Sequence, residues 1–298
     1  MTSKRTRRLF IFSMLVYPVI HYLIFNVYVN VQTIVYAFRR WNAFTGNIDW
    51  VLFGNFTSLF EFVGENHVYR SAVVNTLLWI PLHLFVMIPV AVAIAYLISL
   101  RIKFHAFYRV VLFFPTIISI VVITMVFSFS VSPTIGILNS LLGMAGLDHW
   151  QYSWLGDTRT ALGTVFFFCV WAGTGLFVAI LLGAITRIPA DLFEVSRLEG
   201  ITRMRELRLI VIPMIWPTIT TLIVIGTSTA FTVFLQPKLL TNGGPNYTTN
   251  TVMLQIVTLV GEGKFGLAAA FGVVLGLVGM AVTYVIKYVV ELRETVEY

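Results

Sequence analysis

Charge is what this sequence lacks most. Charged residues make up 11% of its 298 positions, where a soluble domain carries about 25%, and the mean hydropathy is +0.88. That deficit excludes an ordinary soluble domain and reads as a polytopic membrane protein. Cysteine is nearly absent. Cys169 stands alone in an apolar run, which excludes a disulfide framework and a cysteine-rich metal site. His21, His67, His83, His105 and His149 are scattered without an HxxxH or HExxH pairing, so each reads as helix or loop filler and no metal is expected. All 13 acidic residues fall in connectors or tails. Proton-driven carriers bury carboxylates at membrane depth, so this distribution argues against a proton-coupled carrier and leaves a sodium-coupled one open. No serine–histidine–aspartate set or carboxylate pair is arranged for catalysis, and the chain is not expected to be an enzyme.

Nucleotide motifs are missing as well. Gly261, Gly263 and Gly266 spell GxGxxG by letter, but a dinucleotide site needs a strand before it and a ribose-binding acid about 20 residues later. This stretch instead precedes a membrane span. "GEGKF" lacks the spacing of a phosphate-binding loop, so no cofactor is expected in this chain. Asn55-Phe56-Thr57 and Asn246-Tyr247-Thr248 match the glycosylation sequon, a match short enough to arise by chance.

Long apolar runs are what the sequence has instead. A helix crosses the hydrocarbon core with about 20 mostly apolar residues, and six stretches qualify: 9–38, 71–100, 106–130, 161–186, 209–235 and 267–290. The expected fold is therefore all-α, a single membrane domain over 1–298. The first stretch is too long and too polar, with Tyr17, His21, Asn26 and Asn30, for a cleaved signal peptide. The second exceeds a straight crossing and must tilt or protrude. Ala268, Gly272 and Gly276 recur every fourth residue, which predicts a close helix–helix contact in the last span. "TVMLQIVTLVGEGKFG" reads as a short interfacial helix.

Lysine and arginine orient the spans. Fourteen fall at the N-terminus, the second and fourth connectors and the C-terminus, against six in the other connectors. Both termini and the 187–208 connector are thus expected in the cytoplasm. The formal charge of +7 has this explanation, and no nucleic acid is expected as a partner. Trp41, Trp50, Trp150 and Trp154 fall in the outer connectors, as an interfacial aromatic belt would.

Two features carry chemistry. Asn75, Thr76, Trp171, Thr174, Thr227, Ser228, Phe231 and Gln236 place uncharged polar and aromatic groups within spans. Such a set suits a neutral sugar, held by hydrogen bonds and ring stacking, although interhelical bonding is the commoner use of any one of them. The second feature is "EVSRLEGITRMRELRLIVIPMIWP" from Glu194 to Pro217, a charged connector in an oily chain. Pro189 can open a helix here. Asp191, Glu194 and Arg197 then share a sector with Leu198, a mixture unsuited to lying free on lipid and suited to sitting between two protein surfaces. Gly200 supplies a left-handed end, Thr202 can cap a second short helix, and Pro213 and Pro217 should bend the fifth span near its start. An ordinary solvated connector remains the alternative on these grounds.

This stretch resembles the cytoplasmic signature loop of binding-protein-dependent ABC importer permeases, roughly E-A-A-x-x-x-G followed by L-P and a further proline. Glu194 and Gly200 keep the spacing, and Ile212-Pro213 and Pro217 match the tail. Val195 and Ser196 replace the small pair, and Glu199 replaces an aspartate. "FGNF" from Phe53, "NTLLW" from Asn75, "FYRVVLFFP" from Phe107, "GILN" from Gly136, "WLGD" from Trp154, "IPADLFE" from Ile188, "LTNGGP" from Leu240 and "FGLAAA" from Phe265 are similar to the sugar-importer permeases, in family order over 53–271. "LTNGGP" resembles the maltose-type first permease of a heterodimeric pair.

The resemblance implies a type I importer permease fold with six transmembrane helices in a bacterial cell membrane. A second permease would complete the path, two ATPase subunits carrying ATP and Mg would drive it, and an extracellular binding protein would deliver an oligo- or disaccharide. The segment 189–205 would be the coupling helix, with Glu194, Arg197, Glu199 and Gly200 at the ATPase contact. A self-sufficient secondary carrier and a membrane anchor subunit of another complex are the rivals.

Overall fold

Proline and β-branched residues decide where the apolar stretches stay straight. The computed structural model describes residues 4–41, 46 and 48–292; Arg293, counted among the inner charges, lies outside them. Four helices are long and apolar enough to cross a membrane: Thr6–Ala37, His67–Ser99, Ala161–Ile185 and Phe265–Glu291. Two further pairs, His105–Ile117 with Ile120–Ser130 and Arg203–Met214 with Trp216–Ala230, bend by 106° and 74° and bring the number of spans to six when each pair counts as one.

The bend in the fifth stretch is the one its prolines predict. Ile215 breaks the helix between Pro213, near the end of Arg203–Met214 and just after the π turn Leu207–Val211, and Pro217, in the first turn of Trp216–Ala230, where its missing N–H costs nothing. The bend in the third stretch corrects the expectation of a continuous helix over 106–130. Ile118 and Ser119 are extended, at φ −76°, ψ 144° and φ −53°, ψ 132°. The local sequence contributes a weak bias, since of the β-branched residues here only Ile118 is extended and the others are helical. Pro115 is followed by Thr116, Ile117, Ile118, Ile120, Val121 and Val122, side chains that lose rotamer freedom in a helix and favour extended backbone. Widened π turns accompany the other internal prolines, at Leu23–Tyr28 after Pro18 and at Leu82–Met87 between Pro81 and Pro89, as expected where the i→i−4 ladder is interrupted.

The contacts of the chain fall into two compact units, one of Met1–Glu65 and Ile256–Leu275 and another of Asn66–Gln255 and Gly276–Tyr298. In the smaller, no residue in the most apolar stretch of Thr6–Ala37 is buried. A short antiparallel hairpin, Arg39–Trp41 with Ile48–Trp50, follows it, with the Arg39 guanidinium 4.2 Å from the Trp50 ring centre. The helix Gly54–Glu65 then supplies Asn55, considered below.

The larger unit holds two apolar cores. In one, Ala91 and Ala95 of the second span are fully buried with Val178 and Leu181 of the fourth and Val211 and Leu222 of the fifth. Lipid is as apolar as leucine, so close packing drives such contacts, and small residues permit it. Of the expected series Ala268, Gly272 and Gly276, only Ala268 is buried. Those two glycines have nothing within 4 Å of where a Cβ would stand, while Ala91 and Ala95 form the close seam. In the last helix the tight approaches are at Gly279, whose Cβ would stand 3.2 Å from the Phe231 ring, and at Gly266, whose Cβ would fall on the Arg39 carbonyl oxygen. The second core gathers Trp79, Phe127, Val165, Phe168 and Ala230.

Candidate functional site

Three asparagines tie the short motifs to distant backbone and to one another. Asn75, first residue of "NTLLW", is buried, and its amide nitrogen donates to the carbonyls of Thr248 (2.9 Å) and Asn250 (2.8 Å). Its neighbour Thr76 accepts from the Val252 backbone N–H at 2.9 Å. Both thus hold the loop opened by "LTNGGP", which is further closed by Thr241 and Thr249 hydroxyls 2.6 Å apart and by Thr251 Oγ1 donating to the Val233 carbonyl. Asn139 of "GILN" accepts from Trp154 Nε1 of "WLGD" at 2.7 Å and donates to the Tyr152 carbonyl at 3.0 Å. Asn55 of "FGNF" is buried and donates to the carbonyls of Ala37 (2.9 Å) and Arg39 (2.8 Å), directly beside Gly266 of "FGLAAA". One asparagine can pair several backbone groups that membrane burial would otherwise leave open. Asn75→Ala should therefore lower the detergent melting temperature, because two buried carbonyls lose their donor at roughly 1–3 kcal/mol each. A melting curve within a degree of the wild type would remove this role.

The other polar candidates are dispersed in the spans. Thr174 is buried and its hydroxyl donates to the Val170 carbonyl of its own helix. Trp171 is 44% exposed and stacks near Phe127 at 6.3 Å. Phe231 is buried against Gly279, Ser228 is exposed and Gln236 half-buried. Thr227 is fully buried with no hydrogen-bond partner, and Trp79 Nε1, a group the sequence reading passed over, is also buried and unpaired among the described residues. Buried donors without partners are rare and costly.

The charged connector folds as its sequence suggests at three points and adds one the sequence did not disclose. A helix runs over Ala190–Leu198 after Pro189, and a second over Arg203–Glu206. Thr202 stands at the start of the second, but its side chain makes no cap bond. Gly200 is left-handed at φ +68°. The backbone N–H of Ile201 reaches the Ser196 carbonyl (2.9 Å) and that of Gly200 the Arg197 carbonyl (3.1 Å), the paired closure that ends a helix at a left-handed residue. One face of Ala190–Leu198 turns inward: Ser196 is 1% exposed, and Phe193 packs on the apolar core that also buries Ile188. Glu194, Arg197 and Glu199 face out with Val195, and Leu198 is 87% exposed.

Behind this helix lies Glu206, a carboxylate only 1% exposed. The Tyr96 hydroxyl, on the last turn of the second span, is 2.7 Å from Glu206 Oε1 and 3.1 Å from the Arg203 carbonyl oxygen. Its single proton belongs on the shorter bond to the charged acceptor. Ser196 Oγ lies 3.1 Å from Glu206 Oε2 and 2.9 Å from the Phe193 carbonyl oxygen of its own helix, and Arg203 Nη1 donates to both carboxylate oxygens at 3.3 Å. A buried carboxylate is costly unless paired and hydrogen-bonded, and here four bonds from three segments meet it. The sequence signal was present in Ser196, a hydroxyl standing where the resembled pattern has a small apolar residue.

A family model described as "Binding-protein-dependent transport system inner membrane component" matches residues 71–295. Among curated proteins, the chain is 27% identical over 281 residues to the diacetylchitobiose uptake system permease protein NgcF of Streptomyces coelicolor, covering 90% of this chain and 78% of that one. It is 29% identical over 231 residues to the probable ABC transporter permease protein YurN of Bacillus subtilis, covering 76% and 77%. Among solved structures, its fold is similar to a chain of a bacterial ABC transporter that imports the acidic polysaccharide alginate, with a TM-score of 0.84 at 24% identity over 98% of this chain and 97% of that one.

Proposed function

Since the chain belongs to the binding-protein-dependent transport system inner membrane components, we propose that it forms one half of a sugar path and takes its drive from ATPase subunits through the helix Ala190–Leu198. The chain is a multi-pass permease subunit of an ABC importer. In the proposed cycle a second permease completes the path, ATP binding closes two cytoplasmic ATPases, and the coupling helices are drawn together so that the path opens outward. Hydrolysis resets it, as a shift between two packed states. Both termini are then cytoplasmic, an extracellular binding protein delivers the sugar, and ATP and Mg reside on the ATPases.

The observation that carries the coupling role is the helix's division of faces. Ser196 and Phe193 tie it inward, while Leu198, Val195, Glu194, Arg197 and Glu199 stand out together. An apolar residue 87% exposed between charges is the composition of a docking surface rather than of a solvated or lipid-facing helix. A neutral oligo- or disaccharide is favoured as cargo by the uncharged polar and aromatic groups of the spans, and by relatives named for diacetylchitobiose and arabinooligosaccharides. Within that path, Trp171 and Ser228 offer exposed groups, Gln236 a half-buried one, and Thr227 and Trp79 buried donors still free to bond.

Purification of the tagged chain from its native membrane should bring down a protein with a phosphate-binding loop. In proteoliposomes of that complex, uptake of a labelled oligosaccharide panel should require internal ATP, and Trp171→Ala should slow it with assembly intact. Uptake that persists without ATP, or a chain that purifies without any ATPase, would return the secondary carrier or the anchor subunit as the better reading.

A further inference from the structure

The buried Glu206 is used by nothing in the cycle above, yet it joins three segments of the larger unit. Tyr96 belongs to the end of the second span, Ser196 to the helix Ala190–Leu198, and Glu206 itself to the segment Arg203–Met214 that leads into the bent fifth span. Tyr96 and Ser196 are 4% and 1% exposed, so their side of the node is poorly screened, while the Arg203 side chain opposite is 55% exposed. Few other polar links serve this place. Phe193 of Ala190–Leu198 packs on the apolar core, as Ile188 does just before the helix, and apolar contacts are non-directional. They hold the helix against the core without setting its angle.

We propose that Glu206 is a positioning residue for energy coupling: its carboxylate links the coupling helix to the second and fifth spans, so that displacement of the helix moves both spans as one body. The proposal rests on the coupling role assigned to Ala190–Leu198. The two oxygens of one carboxylate divide the task. Oε1 takes the Tyr96 proton, Oε2 faces the Ser196 hydroxyl, whose one proton is shared between this charged acceptor at 3.1 Å and the Phe193 carbonyl at 2.9 Å, and Arg203 bridges both oxygens. Directional bonds on both sides of a single rigid group transmit a rotation that packing alone would let slip. The serine in the motif's small position and the glutamate ten residues later are thus two halves of one device. Each would be out of place alone, since an unpaired buried carboxylate is strongly unfavourable.

The test uses the complete complex in proteoliposomes, with ATP as the probe and the partner binding protein, purified with its native ligand, as the stimulus. Glu206→Gln keeps an oxygen to accept from Tyr96 and should retain most of the stimulation of ATP hydrolysis by binding protein. Glu206→Leu keeps the bulk and removes both acceptors. The double variant Tyr96→Phe with Ser196→Ala keeps the carboxylate and removes two donors, and stands in should Glu206→Leu not fold. Both should recover ATPases at the wild-type level, while stimulation over the basal rate falls by about fivefold or more. Unchanged stimulation in either normally assembled variant would overturn the proposal. So would shedding of the ATPases by Glu206→Gln, because the carboxylate would then belong to the docking surface. A wild-type chain that recovers no ATPase would sink the coupling role itself, a failure visible before any variant is made.

Discussion

Gly200→Val will leave the spans inserted but cost the chain its ATPases, or leave them bound with hydrolysis no longer driving uptake. The residue sits at φ +68° with nothing within 4 Å of a Cβ position. A substitution there meets no neighbour within the chain, so its effect on the chain's own fold comes from the backbone. Left-handed backbone costs an ordinary residue roughly 1–2 kcal/mol and is least tolerated by β-branched ones. Valine therefore favours giving up the closure made by Ile201 and Gly200 onto Ser196 and Arg197, and the helix would leave at a new angle. Gly200→Asn separates strain from loss of glycine itself, because asparagine tolerates this conformation; it should keep most of the coupling. Pull-down recovery of the ATPases and ATP-driven uptake, measured on both variants, decide the matter. Full recovery and full uptake by the valine variant would make the connector an ordinary loop.

Leu198→Ala should weaken ATPase recovery by roughly tenfold or more without moving the melting temperature of the chain. At 87% exposure the side chain contributes little to the isolated fold. Burying a leucine in a partner's cleft is worth about 1.5–3 kcal/mol, and 1.4 kcal/mol is about tenfold in affinity. Glu194→Ala is the milder companion. Its carboxylate is exposed, and a charge-assisted bond at a partly wet rim is screened. Recovery of ATPases by Leu198→Ala equal to that of the wild type, across a titration of detergent-solubilised partner, would remove this face from the interface.

Much of the architecture could be read without coordinates because a bilayer imposes it. Hydrocarbon forces every backbone group into a helix or a buried partner, so length and hydropathy alone located four spans and the ends of two more. Proline spacing at Pro213 and Pro217 announced one bend. The other, at Ile118 and Ser119, was legible only as a run of β-branched residues, a weak propensity signal that hydropathy overrides in any span assignment. The connector helix and its left-handed end at Gly200 were local features, set by Pro189 and by the one residue type without a Cβ.

Pairings between distant segments belong to the tertiary structure. Asn75 and the loop at 247–250 are separated by more than 170 residues, and nothing in a polar residue's neighbours says whether it faces a path, a carbonyl or a carboxylate. The sequence placed Asn75, Thr174 and Thr227 inside spans by composition. Only the fold assigned the first to a loop, the second to its own helix, and left the third unpaired. The same holds for Glu206. As one more acidic residue in a charged connector it carried no signal of its own, because charge density along a chain reports the average environment of a segment. Burial of one carboxylate to 1% exposure depends on Tyr96 and Ser196 arriving from two other helices, and that meeting is decided by packing, since a short-range code along the chain has no term for it.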